Sequence, residues 1–314
     1  MKLDPIKPFE PVFSEEIPIG NEWISQIKWD GVRVLTYYAS HQAKLYNRKL
    51  NERTDIFPEL THIKSYCSAQ SVILDGEVIA LDNHGQPSFH EVMKRDGIKR
   101  LQRVQEVSEK VPIYYMIFDV IFYNGKWINH YPLKDRFEVL HHIVEPNEKI
   151  QIVPVHEDGV ALFEVVKHHH LEGIVCKNLS SKYSINGKNS SWKKIKNYKD
   201  LIAVVGGVTF RLGTVNSMLI GLFDDQGKFQ YIGHVGTGKL TKADWLTFTH
   251  AIEPIKQDQM PFYNTPERVK DVQWLRPLIT VKVQYIEWPI GHSLRQPSIQ
   301  AFVTQDTETC TFNQ

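Results

Sequence analysis

Cysteine is scarce in this sequence: Cys67, Cys176 and Cys310 stand far apart, and no Cys-x-x-Cys pair occurs. That spacing indicates neither a disulfide framework nor a zinc site, and reduced thiols are expected. No run of 18 apolar residues exists, so no segment reads as a membrane span. The amino terminus, Met1-Lys2-Leu3-Asp4-Pro5, lacks the apolar core of a signal peptide. A cytoplasmic protein with no membrane partner is therefore expected. Internal repeats and low-complexity tracts are absent. A further absence is local: Lys177 through Lys199 contains seven lysines and no acid, which the net charge of +1 conceals. Such a run is commonly a solvated face; a polyanion partner is the competing reading.

What is present fits a globular protein, with 42% apolar and 23% charged residues. A length of 314 residues suggests about two domains. Four prolines between residues 5 and 20 predict an extended lead-in. Strands are expected over 23–28, 32–38, 43–48, 71–81, 113–123 and 171–177, from alternation and from β-branched and aromatic content. Helices are expected over about 57–66, 87–109 and 133–143. The three histidines His168, His169 and His170 would point in different directions on a helix, so a helix end at the surface is expected rather than a metal site. Beyond Asp200 the texture changes to short strands separated by glycine-containing turns, with one helix at about 242–251. That is the pattern of a small β-barrel, with a boundary near residue 199.

The chemistry centres on Gln26-Ile27-Lys28-Trp29-Asp30-Gly31-Val32-Arg33. Lys28, at a strand end, stands two residues before an acid and three before a glycine. Alone, Lys-x-Asp-Gly is a weak pattern. A lysine nucleophile needs nearby cations or a dry pocket to lose its proton, and Lys194 and Lys196, on one face of a strand, could supply cations. Glu172, Glu77 and Asp30 are oxygen donors for a hard metal ion. Asp75 and Glu77 lie within one apolar strand, where acids must be paired or bound to something; a bulge that turns these two to solvent is the alternative. Asp119 is a lone acid in a second long apolar strand. Phe118 could stack on a base. Together these parts suit phosphoryl or nucleotidyl transfer, which relies on positioning and charge neutralisation.

Five motifs in order, Lys28-Trp29-Asp30-Gly31-Val32-Arg33, Asp75-Gly76-Glu77, Phe118-Asp119, Glu172-Gly173-Ile174-Val175-Cys176-Lys177 and Trp192-Lys193-Lys194-Ile195-Lys196, resemble the covalent nucleotidyltransferase superfamily. Within it they resemble the ATP-dependent DNA ligases. Gly233-His234-Val235-Gly236-Thr237-Gly238, Trp274-Leu275-Arg276-Pro277 and Leu294-Arg295-Gln296-Pro297 look like the barrel of bacterial end-joining ligases. The resemblance implies an α+β fold of two domains. An adenylation domain with antiparallel sheets would cover residues 1–199, and an OB-fold β-barrel would cover 200–314. It also implies sealing of nicks through lysyl-AMP and DNA-adenylate intermediates, with ATP and Mg2+ or Mn2+ as cofactors. Nicked double-stranded DNA would be the substrate, an end-binding repair protein a candidate partner, and the protein itself a monomer.

Residue by residue, the resemblance makes Lys28 the nucleophile and Asp30 a helper in metal binding and in the later attack of the 3′-hydroxyl. Gln26 would lie at the adenine edge, where many relatives carry an acid. Arg33 would contact the ribose, Glu77 a ribose hydroxyl, and Phe118 the adenine face. Lys177, Lys194 and Lys196 would bind phosphates, and Glu172 would help carry the metal. Arg48, Lys182 and Lys188 would meet DNA, Arg48 at the 5′-phosphate of the nick.

Two departures stand out. Where the last family motif commonly reads Arg-x-Asp-Lys, this chain has Phe302-Val303-Thr304-Gln305-Asp306-Thr307; either Arg295 or Lys282 is the expected substitute, or the first step is slow. Polymerase and nuclease domains are missing, which predicts a free-standing ligase. The 27 residues before Lys28 leave no room for a nicotinamide-binding domain. RNA ligases and messenger RNA capping enzymes share the lysine chemistry and stay open as readings. So does a non-catalytic nucleic-acid-binding protein.

Overall fold

The computed structural model describes residues 3–236, 238–288 and 291–314. The chain divides after Asn197 into two compact units. The first begins with β1 (Glu10–Phe13), β2 (Trp23–Ile27), β3 (Val32–Ala39), β4 (Gln42–Asn47) and β5 (Val72–Ala80). Helices α1 (Phe89–Asp96) and α2 (Val104–Lys110) lead to β6 (Ile113–Tyr123) and β7 (Lys126–Trp127). Then come α3 (Leu133–Ile143), β8 (Ile150–Ile152), α4 (Gly159–His168), β9 (Gly173–Asn178) and β10 (Lys188–Lys196).

These strands form two sheets, one ordered β1-β10-β9-β2 and one ordered β4-β3-β5-β6-β7 with β8 beside β6. Pairing is antiparallel apart from β1 on β10 and β8 on β6. The large sheet owes its centre to the apolar run of β6, whose Val120, Ile121 and Phe122 are fully buried. Each such side chain contributes roughly 1.5–3 kcal/mol by leaving water. Asn124 and Gly125, at φ +44° and +84°, make the tight turn that returns β6 to β7.

The second unit contains β11 (Lys199–Arg211), β12 (Thr214–Phe223), β13 (Phe229–Val235), α5 (Lys242–Ala251), β14 (Lys256–Gln257), β15 (Val272–Tyr285) and β16 (Ser298–Val303). Its sheet runs β13-β12-β11-β15-β14, and β16 pairs with β15. A parallel bridge from Gly238 to Ile299 joins the end of the third long strand to β16 and closes the barrel. The helix between β13 and β15 starts at a capping box in which Thr241 and Asp244 satisfy each other's backbone N–H. This is the OB-fold arrangement of a five-stranded Greek-key barrel. No helix among the described residues is long and apolar enough to cross a membrane.

Several expectations needed correction. Residues 57–66 form two short 3-10 turns, Pro58–Thr61 and Ile63–Ser65, and not one helix. His62 between them takes non-helical angles, φ −77° and ψ 50°. The expected helix over 87–109 is broken after Asp96, where Gly97 ends α1. The proline-rich lead-in contributes an edge strand, β1, which tolerates Pro11 because an edge position leaves one ladder donor unused. Strand β16, which carries Phe302 and Val303 of the departed last motif, was not expected. Thr237 of the Gly-Thr-Gly feature lies outside the described residues.

Candidate active site

Lys28 follows the last residue of β2, and its backbone N–H donates to the Gly173 carbonyl at 2.9 Å. That bond ties the nucleophile candidate to the start of β9. Both flanking glycines are forced by space. A Cβ on Gly31 would stand 2.1 Å from the Val78 carbonyl oxygen. One on Gly173, at φ +153°, would stand 2.1 Å from the Ile195 oxygen. The tight turn after Lys28 therefore brings the chain hard against β5, and β9 hard against β10.

The Lys28 amine donates to Glu172 Oε2 at 2.5 Å, and Lys196 Nζ lies 3.8 Å from Glu172 Oε1. Glu172 is buried, and two cations share its charge. Lys194 joins them from the same face of β10. Burial lowers Lys194, with the Lys28 charge adding to the effect. Burial also lowers Lys196; Glu172 opposes this, and Lys28 reinforces it. Asp30 lies half-buried in the turn between β2 and β3.

Two residues before Lys28, Gln26 is 2% exposed. Its side-chain N–H donates to the Val153 carbonyl at 2.9 Å, while its own Oε1 is buried without a partner. An unsatisfied buried acceptor costs about 1–3 kcal/mol, so Gln26 is poised for a donor from a ligand. Ile79, Met116 and Val153 form an apolar cluster there, with Trp29 and Phe118 packed against it. An adjoining cavity of about 350 Å³ is lined by Trp29, Ile79, Tyr114, Met116, His169 and Leu171.

Glu77 is half-buried on the same face of β5 as Asp75. Burial pushes its carboxyl up to about 7, against the pull of Lys28 and Arg33. Lys177 is buried between two rings, its Nζ 4.4 Å from the Phe118 centroid and 4.1 Å from that of Trp192. Burial brings this amine down to about 7.

Arg33 is committed inside the protein. Its Nε and Nη2 donate to the two oxygens of Asp75 at 2.9 and 2.6 Å, and its guanidinium lies 5.2 Å from the Phe118 centroid. Burial opposes its charge, but the Asp75 carboxylate more than offsets that and holds it firmly protonated. Tyr183 completes the group by donating to Asp75 Oδ2 at 2.6 Å. Asp119 is held by both arms of Arg136 at 2.8 Å, with both side chains fully buried. The register shifts in the β5–β6 ladder do not turn these acids to solvent; Asp75 and Asp119 are paired inside.

The remaining expected residues lie outward. Arg48 approaches Glu10 at 3.5 Å, and Lys182 and Lys188 are exposed. The histidine run ends α4 as expected, and no group of three or more metal-ligating side chains occurs among the described residues. In the barrel unit, Arg295 pairs with Glu287 at 3.2 Å and Lys282 with Asp200 at 3.1 Å. Sequence reasoning missed Tyr183, Arg136 and the Val153 carbonyl. The demand of a buried acid for a cation could have pointed to Arg136; nothing local marks the other two.

The family model described as "ATP dependent DNA ligase domain" matches residues 5–196, and "ATP dependent DNA ligase C terminal region" matches 211–304. The multifunctional non-homologous end joining DNA repair protein LigD of Mycobacterium tuberculosis is 27% identical over 287 residues, 89% of this chain but only 36% of its own length. The SPbeta prophage-derived DNA ligase-like protein LigB of Bacillus subtilis is 34% identical over 194 residues, 61% of this chain and 68% of the relative. Among solved structures, the ligase domain from M. tuberculosis LigD shares the fold at TM-score 0.55 and 23% identity, with both chains fully covered. With one ligase model matching more than half of the chain and a second most of the remainder, the chain belongs to the ATP-dependent DNA ligase family.

Proposed function

We propose that this chain seals nicks in duplex DNA by three successive transfers. Lys28 Nζ, as the free amine, attacks the α-phosphorus of ATP and gives up a proton to solvent; the bond to pyrophosphate breaks and a phosphoramidate to AMP forms. The AMP then passes to the 5′-phosphate at a nick, which frees the lysine. The 3′-hydroxyl attacks that phosphate, loses its proton and expels AMP.

The observation that carries this reading is the placement of Gln26 within β2 and of Lys28 just past that strand's end. The nucleophile and an unsatisfied buried acceptor two residues away provide the phosphate end and the base end of one ligand site. In this reading Gln26 Oε1 accepts the adenine amine. Ile79, Met116 and Phe118 cover the base, and Glu77 holds a ribose hydroxyl. Arg33, locked by Asp75 and Tyr183, is a rigid contact to the ribose. Lys177, Lys194 and Lys196 take the phosphates, with Lys177 released from its two rings to do so. Asp30 serves the later steps, and Arg48, Lys182 and Lys188 meet the DNA backbone.

A divalent ion fits the donor set if it is held mostly by phosphate and water, as magnesium usually is. Glu172, which Lys28 and Lys196 also contact, would hold it together with Asp30, and the ion would neutralise phosphate charge. The same proposal takes in a monomer acting in the cytoplasm. An end-binding repair protein is the partner to test, because relatives such as LigD are named for end joining.

Incubation of the purified chain with ATP should add the mass of one AMP to Lys28. A nicked duplex should then be sealed, and Lys28→Ala should do neither. GTP in place of ATP would point to capping chemistry, and sealing by Lys28→Ala at the normal rate would refute the mechanism.

A further inference from the structure

The break between α1 and α2 builds a cleft that the Lys28 chemistry does not use. Helix α1 ends at Gly97, and the chain crosses Ile98-Lys99-Arg100 and a 3-10 turn, Leu101–Arg103, before α2 begins. The buried side chain of Arg95 fixes the two helices to one another. Its Nη1 donates to the carbonyl of Val111, just past the end of α2, at 3.0 Å, and its Nη2 to the Ile56 carbonyl at 2.9 Å. Both arms also reach the Glu59 carboxylate, at 2.8 and 3.0 Å. Beside this clamp, between the helices, lies a cavity of about 750 Å³. That is the size of a small-molecule site, and its walls are held in place before any ligand arrives.

The lining has two parts. Ile98, Val107 and Val111 make an apolar floor that packs on the core of the first unit. Around it stand Lys94, Lys99, Arg100, Arg103 and Lys110, all exposed, with the acids Glu91 and Glu106. Five cations against two acids leave three positive charges unbalanced. Glu91 is taken up by Lys94 at 2.5 Å, and Glu106 by Lys110 at 2.7 Å with Arg103 at 3.8 Å. Exposed pairs of this kind are weak and give way to a better partner. Lys99 and Arg100, on the connection itself, make no ion pair among the described residues.

Such a lining selects a ligand with several negative charges and a flat or apolar body. Arginine adds a planar group that binds phosphate with two arms and stacks on ring faces. Inorganic phosphate would leave the floor bare. Duplex DNA fits poorly, because its phosphates follow a convex rod whereas these cations surround a hollow. We propose that the cleft between α1 and α2 is a second nucleotide site, which holds a nucleoside di- or triphosphate without reacting with it. The phosphates lie on Lys99 and Arg100, and the base lies on the apolar floor. The site stands independently of the ligase reading, since none of its residues belongs to the Lys28 group.

A chain charged with AMP on Lys28 and freed of ATP has its candidate active site filled, so calorimetric titration with ATP then reads the cleft. One further nucleotide should bind per chain, and separate titrations with GTP and ADP show how far the base and the third phosphate matter. Lys99→Gln and Arg100→Gln should each weaken this binding about tenfold, the loss of one charge-assisted contact. Neither should change the yield of lysyl-AMP or the urea midpoint. Absence of binding by all three nucleotides at millimolar concentration would overturn the site, as would binding that both variants retain in full. Capture of single-stranded DNA through Lys99 and Arg100, with no free nucleotide bound, would overturn it as well. A chain that takes no AMP yet binds a nucleotide that both variants lose would support the cleft and sink the ligase reading.

Discussion

The two units solve the problem of polar groups differently. The first buries Gln26, Asp75, Arg95, Asp119, Arg136, Glu172 and Lys177, whereas Thr280 is the buried polar residue among those described in the barrel. Buried charges are costly unless paired, and their pairing fixes geometry more than it adds stability. The first unit accepts that cost around Lys28 and its neighbours; the barrel keeps an apolar interior and places its charges outside. The difference teaches where preorganisation is built and where a scaffold suffices.

The comparison breaks most sharply at Asp119 and Arg136. Arg136→Met strands the buried carboxylate and should cost about 3–5 kcal/mol in urea unfolding. The double change Asp119→Leu with Arg136→Met should cost far less, and an equal cost would mean that packing rather than charge makes this site sensitive. In the barrel, Leu219→Ala should cost about 2–5 kcal/mol through the cavity alone, with no dependence on pH.

Acidity sharpens the contrast further. Glu77 is raised by burial from 4.5 to about 7, so the folded chain keeps a proton that the unfolded chain has lost. Its contribution to stability therefore falls as pH rises through that window. Lys177, lowered by burial from 10.5 to about 7, binds fewer protons when folded, and its contribution grows as pH rises from about 7 toward 10.5. Glu77→Gln should flatten the first limb of a stability–pH curve and Lys177→Met the second. Persistence of both limbs would show that other groups set them. The smallest effect is expected at the exposed Lys282–Asp200 pair, where Lys282→Ala should cost under about 1 kcal/mol and less in high salt.

Much of this was legible in the sequence. Alternation gave the strand that ends just before Lys28, and continuous apolar runs gave the strands that carry Asp75, Glu77 and Phe118, because a strand buried on both faces is apolar along its length. The end of β2 at Ile27 and the course of α3 from Leu133 to Ile143 follow the same logic. Residues 57–66 misled because a start signal such as Asp55 or Pro58 also opens a 3-10 turn, and the residue that breaks the segment, His62, has no strong propensity. The candidate site was legible as a set of residue types and not as a set of contacts. No local pattern says that Tyr183 reaches Asp75 across 108 positions of sequence, or that Lys177 rests between two rings rather than in the open.

The three cysteines now have addresses. Cys67 and Cys176 lie buried in the first unit and Cys310 in the second, each thiol pushed up by burial and so slow to form thiolate. Oxidants and alkylating reagents should spare them while the chain is closed. They amount to a clock with three hands. Modification of Cys310 ahead of Cys67 would time the opening of the barrel, and the reverse order would time the unit that holds Lys28.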